Sequence, residues 1–245
     1  MPPCTPGNTT TQNGEQVSYT VFYSVGGLYL AAGEASFSNK LETVNGSVVY
    51  HITGMGSSNA SYDKVYRVRD KYESFIDTAT MLPLRFIRNV REGNTKKYEN
   101  ISFNASAGTV VTDSGIFKVP ACVQDVLSTI YYARNIDFSS SARGDKIPLK
   151  IFLENELHET YIRYLGKEKL TTRYGNFSAI KFRASLLSGT IFNSGENMTV
   201  WVSDDRNHIP LRIETAILIG RIKVDLNGAE NLRYPLKGLK TKKSN

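Results

Sequence analysis

Val17-Ser18-Tyr19-Thr20-Val21-Phe22-Tyr23-Ser24-Val25 runs directly into Gly26-Gly27 and on into Leu28-Tyr29-Leu30. Its apolar residues recur at every second position, the period of a strand with one buried face. Gly-Gly supplies the positive φ angles of a two-residue hairpin turn. Strand, tight turn and strand at the start of the pattern set an antiparallel expectation for the rest of the chain.

Working outward, the same grammar repeats. Strands are expected over 28–37, 48–53, 71–77, 82–91, 96–103, 109–112, 146–153, 157–165, 168–172, 177–187, 199–203, 211–217 and 221–226, with a turn at Asn45-Gly46. Their spacing implies consecutive hairpins rather than βαβ units. One hairpin is written twice, as Asp77 followed by Leu82-Pro83-Leu84-Arg85 and Asp204 followed by Ile209-Pro210-Leu211-Arg212. Proline lacks an N–H and fixes φ, so it belongs at a strand start, and the Asp suits the turn entry.

Helical periodicity shows at two places. Within 57–69, Tyr62, Val65, Tyr66 and Arg69 favour a short helix capped by Ser61, while Val65 to Val68 could equally enter a strand. The clearer one starts at Pro120, a residue tolerated in a first helical turn. Val123, Val126, Leu127, Ile130, Tyr131 and Arg134 form its apolar stripe. The chain reads as a flexible leader over 1–15, one β-rich domain over 16–230 and a Lys-rich tail over 231–245. The expected architecture is mainly β: a curved antiparallel sheet, an incomplete barrel, with one or two helices on its concave face.

The formal net charge is +7, and four of those charges fall on Lys237, Lys240, Lys242 and Lys243. A mildly basic body with a solvated tail argues against a nucleic-acid partner. No stretch is long and apolar enough for a membrane-spanning helix. Cys4 lies in a polar segment without fixed geometry, so the pair Cys4 and Cys122 is expected to stay unbridged more readily than to close a disulfide. The Thr/Asn/Pro-rich start resembles the linker behind a removed signal peptide.

The search for chemistry yields no catalytic set. His51, His158 and His208 are scattered and lack any spacing that would place two imidazoles together for a metal. Asp204, Asp205 and His208 read as turn residues. Cys122 has neither base nor orienting group in view. Glu154 and Glu156, read on one strand, would share a face and read as exposed carboxylates. Arg67, Arg69, Arg85, Arg88 and Arg91, interleaved with Tyr66, Tyr72 and Phe86, are balanced by neighbouring acids and read as a salt-bridged solvent face. No metal, cofactor or catalytic residue is expected.

Four stretches carry a resemblance. They are Gly33-Glu34-Ala35 behind the Tyr-rich first strand, the run from Tyr66 to Asp77, the run from Gln124 to Arg134, and Val200-Trp201-Val202-Ser203-Asp204 with Ile209-Pro210-Leu211-Arg212. In order, over about residues 16–226, they resemble a domain-of-unknown-function family of exported proteins from Bacteroides-type bacteria. The last hairpin is also similar to one in the LolA/LolB-like lipoprotein carriers, which fold as incomplete antiparallel barrels with helices on an apolar concave face. The resemblance implies export to the periplasm or outer membrane.

Together with the surplus of strand aromatics, it gives an expected function. The protein would be a non-enzymatic envelope protein holding a lipid, acyl chain or lipidated peptide between sheet and helix, with Val123, Leu127, Ile130 and Tyr131 lining the cleft. A structural or interaction module for another envelope protein is the alternative. A hydrolase of envelope polymer is the third reading.

Overall fold

The computed structural model describes residue 4 and residues 7–186, 195–217 and 220–240. Fourteen strands form one antiparallel sheet: β1 Gln16–Val25, β2 Leu28–Val44, β3 Ser47–Ser58, β4 Arg69–Asp77, β5 Pro83–Glu92, β6 Thr95–Asn104, β7 Thr109–Thr112, β8 Gly115–Lys118, β9 Lys146–Leu153, β10 Glu156–Thr172, β11 Gly175–Leu186, β12 Gly195–Ser203, β13 Pro210–Ala216 and β14 Arg221–Glu230. Among the described residues one helix, α1 Val126–Arg134, interrupts them between β8 and β9. Spatial order runs β8 back to β1, then from β14 back to β9. Two meanders are therefore spliced where β1 pairs with β14.

The sheet is not closed by hydrogen bonds, because β8 and β9 are its two edges. It is curled, because Phe152 of β9 packs with Phe86 of β5, Ile101 of β6 and Val110 of β7. Side chains thus join the edges that backbone bonds do not. The expected curved, incomplete barrel is what the chain forms, with one helix inside it.

The turns follow their residues. Gly26 and Gly27 both take positive φ, as does Asn45-Gly46 between β2 and β3, which are the angles a two-residue hairpin requires. In the duplicated hairpin, Met81 and His208 occupy equivalent positions and both have positive φ. Asp77 Oδ1 accepts the N–H groups of Ala79 and Thr80, fixing the first copy.

Several expectations change. The segment 157–172 is one long strand. Residues 60–65 form turns, not a helix, with Tyr62 N–H and Asp63 N–H both bonded to Asn59 O. Helix α1 starts at Val126 rather than at Pro120 because backbone upstream is committed elsewhere. Gln124 pairs with β9, donating to Lys150 O and accepting from Phe152 N–H. Asp125 then caps the helix, its Oδ1 accepting from Leu127 and Ser128 N–H, while Ser128 Oγ accepts the Asp125 N–H. That reciprocal arrangement satisfies donors a helix start leaves open.

The ends of the chain are also more structured than their composition suggests. Cys4 and Cys122 form a disulfide with a Cα–Cα distance of 5.1 Å. Closing a loop of 118 residues constrains the unfolded chain by on the order of 5 kcal/mol. Within the described part of the expected leader, Thr10, Thr11 and Glu15 are buried. At the other end Leu232, Leu236 and Leu239 pack on the cluster around Phe177 and Trp201. Lys240 N–H bonds to Tyr174 O, so the described part of the Lys-rich tail is docked. Lys242 and Lys243 lie outside the described residues.

Candidate functional site

The face of the sheet that carries α1 is its inner face, and α1 covers only part of it. Leu127 and Tyr131 pack with Tyr50, Ile52, Ile76 and Met81, and Ile130 flanks this cluster. Val123 packs with Phe86, Ile101, Val110 and Phe152. A Cβ on Gly54 would stand 3.1 Å from both Leu127 and Phe37, so the helix sits directly on the strand backbone there. Of the residues expected to line a cleft, Val123, Leu127 and Tyr131 are buried in packed core, and Ile130 lies half-buried beside them.

A polar knot anchors the helix end. Arg134, 4% exposed, makes a two-pronged pair with Glu15 at 2.6 and 2.8 Å. Its Nε donates to Asn207 O, and its own carbonyl meets His208 Nδ1. Burial disfavours the Arg134 charge, and the Glu15 carboxylate more than restores it, so the guanidinium pKa lies above its ordinary value. At the other end of α1, burial pushes the Asp125 carboxyl up to about 6 against the opposing bonds from Ser74, Ser128 and Leu127. These groups are spent on structure, since each has a partner within the fold.

Beyond the helix the inner face is different. One row crosses six strands by register: Val21, Val224, Ile213, Val200, Phe182 and Tyr164. The next row toward the strand tips is Leu30, Tyr23, Ile222, Thr215, Met198, Ala184, Ile162 and Ile147. Strand alternation puts both rows on the face of Tyr19 and Leu226, which are buried. Phe182 and Tyr164 are buried against Phe138, and Thr215 and Ala184 are buried too, yet Val21, Tyr23, Ile162, Met198, Val200, Ile213, Ile222 and Val224 are only half-buried. At the lip Leu30 is 52% exposed and Leu28, two residues away on the same face, 67%. Tyr62 meets Tyr23 edge-on at 6.4 Å. This is an apolar, concave, incompletely covered surface at one end of the curl.

The remaining sequence candidates do not converge. His51 stacks on Phe75 between Glu42 and Glu73, His158 faces Leu153 O, and His208 serves the Arg134 knot. Among the described residues no three His, Cys, Asp or Glu side chains gather as a metal site. Glu154 lies in the β9–β10 turn, at positive φ, not beside Glu156 on a strand. Arg88 and Lys97 hold its carboxyl below the usual range. Arg88 itself points inward and pairs with Glu99 and Glu154, so it is no part of a solvent face.

The half-covered rows were missed in the sequence. Each residue alternates like any core residue, and only the register shows where the helix stops covering them.

The sequence model of a family described as protein of unknown function (DUF3108) matches residues 18–227. No curated protein matches the chain. Among solved structures, the chain is similar to a β-barrel-like protein of the domain of unknown function DUF1849 from Brucella abortus. That likeness has a TM-score of 0.57 at 8% identity and covers 90% of this chain and 98% of that one. An exported protein with a YmcC-like fold from Bacteroides fragilis overlays at a TM-score of 0.37 and 8% identity, covering 90% of this chain and 97% of that one. The first likeness speaks to the fold alone.

Proposed function

As the chain belongs to the DUF3108 family, whose function is unknown, kinship supplies no activity, and we propose one from the geometry: an exported envelope protein that holds an apolar ligand, an acyl chain or lipidated peptide, on the half-covered inner rows. The observation that carries this reading is the exposure of Leu28 and Leu30 in line with Tyr23, Ile222, Met198 and Ile162. An apolar concavity with few polar groups suits a ligand that is itself mostly hydrocarbon. Contiguous exposed apolar surface is otherwise a liability for a protein in water. Export is supported by the Cys4–Cys122 disulfide, because such bonds persist in oxidising compartments.

The proposed ligand site is displaced from the helix stripe toward the strand tips. Native mass spectrometry of the purified protein, followed by organic extraction, tests it. A mass adduct that extracts as lipid is expected, and Ile222→Asp with Met198→Asp should abolish it while β-rich circular dichroism persists. A bare protein mass, together with no uptake of a fluorescent fatty acid, sinks the reading. The interaction module remains as a second reading because β8 is an open edge on which Ile116 is exposed, and an open edge can accept a partner strand.

A further inference from the structure

The outer face of the same sheet carries a feature that ligand retention inside the curl does not use. Ser18, Ser36, Met55, Lys71, Asn89 and Tyr98 form one register row across β1 to β6. Beside it Glu34, Ser57 and Arg69 form a second row, continued by Arg91 and Lys96, which are paired with each other. All alternate with inward residues such as Tyr19, Phe37 and Tyr72. The sheet dips here, and a groove of about 400 Å³ runs from Asn227 and Ser18 past Ser36 and Ser57 to Asn89 and Arg91.

Its walls differ along its length. The floor near β1 is hydroxyl and amide: Ser18 donates to Asn227 Oδ1 at 2.6 Å and Asn227 donates to Thr20 at 2.8 Å, which fixes these groups in place. The far end carries Arg91 beside the Asp70 carboxylate, with Lys96 just beyond the groove on the neighbouring strand. Arg91 and Lys96 stand directly opposite one another and exposed. Neither side chain forms an ion pair among the described residues, although the Asp70 carboxylate in the same groove accepts the Arg91 backbone N–H at 3.0 Å. Like charges facing across a strand pair cost stability, a cost that an anion within reach of both would relieve. Arg69 and Lys71 stand beside them but are tied to Asp63 and Glu73. Next to Asn89, the Tyr98 ring is 61% exposed, a flat surface with a polar tip. Glu34, exposed on the same groove, carries the opposite sign.

The geometry points to a binding site for an acidic carbohydrate chain, with Arg91 and Lys96 taking its acid groups, the Ser and Asn side chains its hydroxyls, and Tyr98 the face of a sugar ring. Glu34 disfavours a densely charged polymer lying along the whole groove, while it can accept hydrogen bonds from sugar hydroxyls. A single aromatic is also too few for a track of stacked nucleobases.

Isothermal titration calorimetry with oligomers of polygalacturonate, dextran and polyphosphate tests the assignment. Polygalacturonate should bind, with dextran and polyphosphate each at least about tenfold weaker. The double variant Arg91→Ala/Lys96→Ala should lose about tenfold in affinity for polygalacturonate, the scale of one or two charge-assisted bonds. Tyr98→Ala should weaken polygalacturonate several-fold and leave any residual polyphosphate binding unchanged. All three side chains are exposed, so circular dichroism should not move. No heat with polygalacturonate overturns the assignment. Equal binding of polyphosphate with indifference to Tyr98→Ala overturns it too, leaving only a polyanion surface.

Discussion

The inner face of this sheet is built in two ways. Across β2 to β6 it lies under α1 and its neighbouring loop, and Ile52, Ile76, Phe86 and Ile101 are almost completely buried. Across β10 to β1 the residues toward the strand tips are just as apolar, yet Val200, Ile213, Ile222 and Val224 stay half-covered. Hydrophobicity is the same in both halves. What differs is whether a second layer reaches them, since a nine-residue helix is only about 14 Å long and cannot span fourteen strands. Both halves contain buried clusters, and the strand tips of the second also have apolar surface to offer.

The largest way to break this contrast is to unseat the layer itself. Glu15→Ala leaves Arg134 buried without its counter-charge, and a loss of about 3–5 kcal/mol is expected in urea unfolding. A loss below about 1 kcal/mol would mean that the leader does not hold the helix. Leu127→Ala, on the covered half, should cost about 2–5 kcal/mol through lost burial and the cavity left over Gly54. Ile222→Ala, on the half-covered half, removes a comparable side chain from a surface that never fully left water. It should cost less than about 1.5 kcal/mol in the same assay, while reducing retained ligand. Equal costs at the two sites would erase the distinction between the halves.

The smallest test uses pH. Burial raises Asp125 to about 6 in the folded protein, against an ordinary value of 3.8. The native state therefore holds this proton more tightly than the unfolded chain does. The stabilisation is complete below about pH 4 and disappears as pH rises through about 6, a change of roughly 2–3 kcal/mol. Asp125→Asn keeps an acceptor for the helix N–H groups. Thermal unfolding between pH 4 and pH 7 should show a smaller decline in the variant than in the wild type, and parallel curves would rule out Asp125 as the source.

Much of the fold could be read from residues. Period-two alternation, Gly26-Gly27, Asn45-Gly46 and the twice-used Pro-Leu-Arg hairpin placed most of the strands, because strand faces and tight turns are local properties. The short edge β8 escaped notice, as Gly115–Lys118 is too brief to show a period. The helix start was misread because the stripe from Val123 to Arg134 is helical in pattern, while the pairing of Gln124 with β9 is a contact 27 residues away. Of the candidate site, the helix stripe was legible as apolar but not as filled, and the inner rows were not legible at all.

By itself the sequence determined the class of secondary structure, the antiparallel order of neighbours and the absence of the spacings that mark a metal or nucleophile motif. These depend on near neighbours in the chain. The tertiary structure alone decided that Cys4 reaches Cys122, that Glu15 answers Arg134 across 119 positions, and that α1 covers one half of the inner face. Such facts follow from which distant surfaces exclude water together, and the free energy of that burial belongs to the packed pair, never to either segment alone.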